Sequence, residues 1–165
     1  MNAPFHPTSQ ELKPQPEQPA VAPQTIHIPA DLGSDYRERL LGLKHAVIAE
    51  QTKHSYIDVG DGTLIHLQDS RSMREAISDG SLAAQLADLA KRSEYPVLLI
   101  VGRLFERPPV DVGRSRSIAG FLTHLELFTR IRTLQAPDRF HAVMMIQLAA
   151  KQTQRGFHSF GLEEL

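Results

Sequence analysis

A polar trio, Gln68-Asp69-Ser70, ends an apolar, strand-like segment and precedes a short helical one. Carboxylate and amide oxygens are ligands that Mg²⁺ accepts, and a bound divalent cation can activate water against a phosphodiester. His66 faces the same way as Gln68 on an alternating strand and is a further candidate ligand, although a lone strand histidine more commonly has a structural role. Arg71 and Arg74 follow the trio, and their guanidinium groups can bind phosphate but are poor bases.

A second group of basic residues lies in segment 103–116, which is predicted to be an irregular loop. Glu106 and Asp111 are interspersed among its four arginines, Arg103, Arg107, Arg114 and Arg116. Such a run is commonly a solvated surface, but it can also contact phosphates. The formal net charge of −1 means that any nucleic-acid binding must use a local patch. Aromatic residues for stacking on single strands are scarce.

Composition excludes several other chemistries. The chain has no cysteine, and its eight histidines show no HxH or HExxH spacing, which argues against disulfides and zinc catalysis. No glycine-rich phosphate loop follows a strand, so nucleotide hydrolysis is not expected. No apolar run reaches the roughly 18 residues of a membrane span, and the N-terminus lacks the order of a signal peptide. We expect a soluble, cytoplasmic protein.

The chain divides into a tail, one domain and a short C-terminal extension. Seven of the eleven prolines fall within the first 29 residues, so residues 1–24 are predicted to be disordered, with a proline-rich partner motif as the alternative. Residues 25–156 form the predicted domain, and residues 157–165 form a second tail. A length of 165 residues suits one domain with a proper core.

Strands alternate with helices along the domain. The run YPVLLIVG, residues 95–102, is the most hydrophobic of the chain and predicts a central strand covered on both faces. Gly60-Asp61-Gly62 predicts a hairpin turn. Further predicted strands are 26–28, 46–49, 55–59, 63–68 and 130–134. Three helices are predicted to be capped by Ser34 or Asp35, by Ser81 and by Ser117, and two more are predicted to start at Met73 and Pro137. This order predicts a mixed α/β sheet with helices on both faces.

The stretch ISDGSLAAQLADLAKRSEYPVLLIVG resembles a segment of the XPF-type nuclease domain, the family of excision-repair, Mus-like and Hef-like nucleases. That family segment reads roughly S-I-x-D-G-R-L-x-x-Q, a helix, and P-V-L-L-I-E-G. The positions in register are Ile77, Asp79, Gly80, Leu82, Gln85 and the strand 96–102. Residues 114–152 are similar to the family's closing helix–strand–helix, and the resemblance covers residues 26–155. It implies a restriction-endonuclease-like fold.

The resemblance also implies a position for the family's active site. The family signature is a G-D-Y strand followed by E-R-K-x-x-x-D, in which carboxylates bind the metal and the lysine steadies the attacking water. Asp58, ten residues before Gln68, falls at the G-D-Y aspartate, whereas Gln68 and Ser70 fall at the glutamate and lysine. The downstream aspartate has no match, and Val101 stands at a family glutamate. A register that uses Gly60-Asp61 as G-D is the alternative.

These substitutions predict a degenerate metal site. Glutamine keeps an oxygen ligand without the charge, serine cannot supply a cation, and Asp58 is left as the candidate metal ligand. The leading hypothesis is a DNA-binding protein of this family, acting on branched DNA or single-strand/double-strand junctions in repair or recombination, with weak or absent catalysis. The alternatives are a Mg²⁺-dependent structure-specific endonuclease that uses Asp58, Gln68 and Asp69, and a protein-interaction module. Mg²⁺ is the expected cofactor if the site is active, and otherwise none is expected.

The resemblance implies two further contacts. Segment 103–116 would lie beside the active-site cleft, so its four arginines, together with Arg71 and Arg74, are the predicted DNA-binding residues. Family members form dimers, often of an active and an inactive subunit, and the last helix is more apolar than one buried face requires. We therefore predict a homodimer, or a heterodimer with a related nuclease subunit, through residues 138–150, with Met145 at the interface.

Overall fold

The computed structural model describes residues 25–49, 54–105 and 112–155. The predicted tails at 1–24 and 157–165 lie outside these ranges, as does Arg107. Within the described ranges, no helix combines the length and the apolar composition needed to cross a membrane.

The described residues form one six-stranded sheet in the order β2-β1-β3-β4-β5-β6. The strands are β1 (Ile26–Pro29), β2 (Ala46–Ala49), β3 (Ile57–Gly60), β4 (Thr63–Asp69), β5 (Tyr95–Val101) and β6 (Arg132–Ala136). The helices are α1 (Ser34–Leu41), α2 (Met73–Ser78), α3 (Ser81–Arg92), α4 (Val112–Phe128) and α5 (Arg139–Arg155). β3 is antiparallel to β1 and β4, whereas β4, β5 and β6 run parallel. The carboxyl ends of these last three strands therefore meet at one edge of the sheet.

Two hydrophobic cores cover the two faces of the sheet. Successive β5 side chains enter opposite cores: Leu99 and Val101 pack with residues of α1 and α5, and Leu98 and Ile100 pack with residues of α2, α3 and α4. The predicted central strand and the predicted mixed sheet with helices on both faces are thus confirmed. Burial on both faces explains why β5 reads as a continuous apolar run.

The start of α4 differs from the sequence-based prediction. The helix begins at Val112 rather than at Ser117, so Arg114 and Arg116 lie on a helix and not in a loop. A serine in the first turns of a helix gives the same sequence signal as a cap, and arginine favours the helical conformation. The direction in which each of these two arginines points is therefore set by the geometry of the helix and not by the path of a loop.

The helix starts use other capping groups than the predicted serines. The residue preceding α3 is Gly80, with φ of +78°, and the Asp79 Oδ1 accepts a hydrogen bond from the Ser81 backbone N–H at 2.8 Å. The residue preceding α1 is Gly33, which has no side chain to cap the helix. The predicted serine caps of these two helices are therefore wrong, and at α3 the preceding aspartate accepts the N–H instead.

Candidate nucleic-acid interface

A cleft of about 1390 Å³ opens where the parallel strands β4, β5 and β6 end. Loops and helix starts converge at such an edge, which is where open α/β sheets commonly bind ligands. Five arginines line the cleft, from separate parts of the chain: Arg39, Arg71, Arg103, Arg114 and Arg139. Two carboxylates and two phenylalanines line it as well, namely Asp69, Asp138, Phe105 and Phe140.

Positive charge dominates this arginine cleft. Five guanidinium groups and two carboxylates line it, which leaves an excess of three positive charges. The start of α5, a helix of 17 residues, forms part of the wall, and its first N–H groups add partial positive charge. Asp138 at this start accepts a hydrogen bond from the His141 backbone N–H at 2.9 Å, and the contacts with His141 hold the pKa of Asp138 below its usual value. The negative charge of Asp138 offsets part of this positive charge, but the excess of arginines remains and attracts anions.

Gln68 has a structural role at the end of β4. Its side chain is buried, and its Nε2 donates hydrogen bonds of 3.0 Å to the Asp69 carbonyl and to the Ser72 hydroxyl. These bonds join the end of β4 to the residues that precede α2. The exposed Asp69 bends back in the same turn, since its Oδ1 accepts a hydrogen bond from the Arg71 backbone N–H at 2.8 Å.

Ser70 is fixed between two neighbouring segments. It is 3% exposed, and its backbone N–H donates to the Val101 carbonyl at 2.9 Å. The Ser70 carbonyl in turn accepts a hydrogen bond from the Arg114 Nη2 at 3.2 Å. Gly102 has a φ of +105°, and a Cβ at this position would overlap the Ser70 hydroxyl. Ser70 therefore fills the space beside the end of β5 that a side chain at position 102 would need.

Asp58 on β3 lies beside the start of β4, whereas the trio lies at the end of β4. It pairs with Leu64 across the β3–β4 ladder, four residues before Gln68, which corresponds to roughly 13 Å along a strand. Its Oδ1 accepts a hydrogen bond from the Gly60 backbone N–H at 2.8 Å. The fold thus places Asp69 and Ser70 in the cleft lining with Gln68 buried beside them, but it does not bring Asp58 to them.

The residues at the cleft do not fit a Mg²⁺ site. A hard cation needs several oxygen ligands converging on one point, with carboxylates among them. The Gln68 amide offers at most one uncharged oxygen ligand, and Asp58 lies roughly 13 Å away along the strand direction. Within ranges 25–49, 54–105 and 112–155, no group of three or more His, Asp or Glu side chains is arranged to hold a metal ion.

His66 lies in the core and not at the cleft. It is 7% exposed, and the Tyr56 ring meets its ring edge-on at a centroid distance of 5.9 Å. Burial lowers the pKa of His66, and the neighbouring Gln68 side chain opposes that shift. A buried, neutral imidazole against an aromatic ring is a structural residue, which is the alternative that the sequence favoured.

The predicted DNA-binding arginines divide into two groups. Arg71, Arg103 and Arg114 line the cleft, whereas Arg74 on α2 and Arg116 on α4 are exposed outside it. Arg107 lies outside the described residues.

Two further arginines at the cleft were missed in the sequence. They are Arg39 on α1 and Arg139 on α5. Arg139 forms an ion pair with Asp35, and its guanidinium carbon lies 5.7 Å from the centre of the Tyr36 ring. No local motif marks Arg39 or Arg139, because only the packing of α1 against α5 brings them to the sheet edge.

Solved structures with a similar fold include two of XPF from Aeropyrum pernix. The structure described as a complex with DNA matches with a TM-score of 0.64 and 19% sequence identity, over 80% of this chain and 66% of that chain. The other matches with a TM-score of 0.69 and 20% identity, over 79% and 65%. The chain has the fold of an XPF nuclease domain. The predicted restriction-endonuclease-like fold is therefore confirmed.

The match spans slightly less than two thirds of each of those XPF chains. No protein-family model matches the sequence, and no curated protein matches it significantly. At this level of identity the likeness concerns the fold.

Proposed function

We propose that this chain is a DNA-binding protein of the XPF-type nuclease family, with weak or absent catalysis of its own. The observation that carries the proposal is the arginine cleft at the ends of β4, β5 and β6, with five guanidinium groups and two carboxylates. Guanidinium groups bind phosphate oxygens through paired hydrogen bonds and stay charged at all relevant pH values. One of the XPF structures with this fold is a complex with DNA, which supports DNA as the ligand.

Weak or absent catalysis is supported by the residues at the sequence-predicted positions. The trio forms hydrogen bonds that organise the junction at the end of β4, and Ser70 provides no cation at the position of the family's lysine. The rival hypothesis, a Mg²⁺-dependent endonuclease, requires Asp58, Gln68 and Asp69 to converge on one metal ion. Asp58 would have to cross roughly 13 Å along β4 to join the others.

Branched DNA and single-strand/double-strand junctions are the proposed ligands, in repair or recombination. The arginines come from five separate parts of the chain and surround one concave surface, which suits a bent or divided phosphate backbone better than one straight groove. The contacts are to phosphates, so we expect binding to depend on DNA shape and not on base sequence.

The test is the salt dependence of binding to a fluorescent forked DNA. Arg71→Ala with Arg103→Ala should weaken binding, and the slope of log affinity against log salt should fall by roughly 1.4 to 1.8, because two phosphate contacts are lost. The control is Lys91→Ala with Arg132→Ala. This variant removes the same charge from exposed positions near the amino-terminal ends of β5 and β6, away from the cleft. Equal losses in both double variants would reject the cleft as the binding surface. Absence of DNA binding by the unaltered protein would instead favour a protein-interaction module.

We also propose that the chain forms a homodimer, or a heterodimer with a related nuclease subunit, through the outer side of α5 and the edge strand β6. Met144 and Leu148 are 40% and 46% exposed on successive turns of α5, and Leu134 on β6 is 39% exposed. β6 is the last strand of the described sheet and packs against α5, so we take these three side chains as the edge patch of the proposed interface. Met145, the residue expected from the sequence, packs half-buried against the core instead.

The dimer is tested by the mass of the protein in solution. Met144→Asp with Leu148→Asp should convert a dimer into a monomer, because two charges would enter a desolvated interface. Leu41→Asp is the control, since Leu41 is similarly exposed on α1 outside the patch. A monomeric unaltered protein, or an unchanged mass of the double variant, would exclude this interface.

A further inference from the structure

Two exposed phenylalanines line the same cleft as the arginines. Phe105, shortly after β5, is 46% exposed, and Phe140, in the first turn of α5, is 65% exposed. The sequence gives no sign of this arrangement, because the two residues are 35 positions apart and come from different segments. Folding brings two aromatic rings into an arginine-lined cleft, although the sequence suggested that aromatic residues for stacking on single strands are scarce.

Phe140 is held in place at the cleft wall. The preceding Asp138 and the following His141 are joined by hydrogen bonds of 2.9 Å that fix the start of α5. The His141 ring meets the Phe140 ring at a centroid distance of 5.6 Å and an angle of 88°. This is an edge contact, so His141 steadies the ring without stacking on it face to face.

We infer that the cleft binds unpaired DNA bases, which stack on Phe105 and Phe140 while the adjoining phosphates contact arginines such as Arg71 and Arg103. The inference rests on the proposed DNA binding and narrows it to single-stranded segments. Aromatic faces combined with a positive groove are the general means by which proteins bind single strands without sequence preference. Paired bases in a duplex are stacked on one another and do not offer their faces, so exposed rings in a basic cleft favour an unpaired strand.

Each phenylalanine also lies close in sequence to a cleft arginine. Arg103 precedes Phe105 by two residues, and Arg139 directly precedes Phe140. A base and its phosphate are joined through one sugar, so a ring and a guanidinium group from the same short segment are suited to contact one nucleotide. Arg103 and Phe105 are such a pair, whereas Arg139 is already ion-paired with Asp35 and points away from its helical neighbour Phe140.

The inference is tested with two oligonucleotides of equal charge. An oligothymidylate of about 16 nucleotides is compared with an abasic strand of the same length, which keeps the phosphates and lacks the bases. The unaltered protein should bind the oligothymidylate more tightly. Phe140→Leu should reduce that preference by about fivefold to a hundredfold, because leucine keeps apolar bulk without a π-face, and Phe105→Leu should act similarly. Binding of the abasic strand should change little.

Two control variants separate stacking from general apolar contact. Phe140→Tyr keeps an aromatic face and should retain the preference for the oligothymidylate. Phe128→Leu alters a ring that is 74% exposed at the end of α4, outside the cleft, and should have no effect.

Three outcomes would overturn the inference. The first is equal affinity of the unaltered protein for both strands, and the second is an unchanged preference in both leucine variants. In either case the arginine variants could still weaken binding, which would leave a phosphate-binding cleft and the proposed function intact. The third is binding of neither strand nor forked DNA, which would remove the proposed function together with the inference.

Discussion

The two ends of β4 both carry polar residues, but they differ in charge and in surroundings. At the start of the strand, Asp58 pairs with Leu64 and accepts a hydrogen bond from the turn residue Gly60. At its end, Asp69 and Ser70 border a cleft lined by five arginines. A metal site would need the Asp58 carboxylate beside Gln68 and Asp69. The two ends are separated by most of the strand length, so the guanidinium groups gather at one end while the Asp58 carboxylate stays near the other.

The position of the hairpin turn explains this separation. Residues that face each other across an antiparallel hairpin are equidistant from the centre of its turn. Asp58 and Gln68 would face each other if the turn were centred near residue 63, but it is centred on Asp61, with positive φ at Gly60, Asp61 and Gly62. The spacing of ten residues was therefore not enough to place Asp58 beside Gln68, since the strand register also depends on the position of the turn.

The largest effect is expected at the cleft end of β4, from Gly102→Val. A β-branched residue at φ of +105° is strained, and its side chain would overlap Ser70, so the free energy of unfolding should fall by about 2 to 4 kcal/mol. Urea denaturation measures the change. Gly120→Ala is the matched control: it lies inside α4 with no atom near the added methyl group and should stabilise the protein by about 0.5 to 1 kcal/mol. Unfolding of Gly102→Val at the same urea concentration as the unaltered protein would contradict the packing described here.

A smaller loss of stability is expected when Gln68, at the same end of β4, is replaced by a carboxylate. Gln68→Glu removes the two hydrogen bonds that Nε2 donates and sets a negative charge against two acceptors, so we expect a loss of about 1 to 3 kcal/mol. Gln85→Glu, at an exposed helical position, should change the free energy of unfolding by less than about 0.5 kcal/mol. A stable Gln68→Glu variant that gains Mg²⁺-dependent cleavage would show that the two ends of β4 do cooperate.

A still smaller loss of stability is expected from a substitution beside the start of β4. Asp58→Ala removes the hydrogen bond to the Gly60 N–H, which should cost about 0.5 to 1.5 kcal/mol in thermal or urea unfolding. Asp58→Asn keeps an acceptor oxygen and should cost less. DNA affinity should be unchanged in both variants. Weaker DNA binding or lost Mg²⁺ binding in Asp58→Ala would place this residue at the functional site after all.

The smallest effect concerns His66, which lies between the two ends of β4. Its pKa is lowered in the folded state by burial, so the unfolded chain binds the proton more readily. Stability from this residue is fully present above the ordinary pKa near 6.5 and is lost as the pH falls below it. His66→Leu should flatten the decline of stability below that pH, whereas His124→Gln, at an exposed position, should not. An unchanged pH profile in His66→Leu would contradict the buried neutral state.

Much of the fold could be predicted from the sequence, because strong local signals agree with it. The apolar run before Gly102 gave the central strand, and the glycine-flanked Asp61 gave the hairpin. The position of the trio at the end of β4 was also predicted, and two of its residues, Asp69 and Ser70, line the cleft.

The composition of the cleft could not be predicted in the same way. Arg39, Arg139 and Phe140 reach it through packing of α1 and α5 on one face of the sheet, and no local pattern marks such distant contacts. The exposed side of α5 was also assigned to the wrong methionine. The helix buries Ala142, Ile146 and Ala150 at intervals of four residues. With these residues facing the core, Met144 and not Met145 points outward.

A nuclease assay tests the central claim most directly, namely that this fold provides a DNA-binding cleft without a working metal site. Forked, flapped and plasmid DNA would be incubated with the unaltered protein and with Asp58→Ala, in Mg²⁺ and in Mn²⁺, at concentrations at which the protein binds the DNA. We predict retained DNA binding and negligible cleavage by both proteins. Robust metal-dependent cleavage by the unaltered protein, lost in Asp58→Ala, would contradict the account and establish the endonuclease.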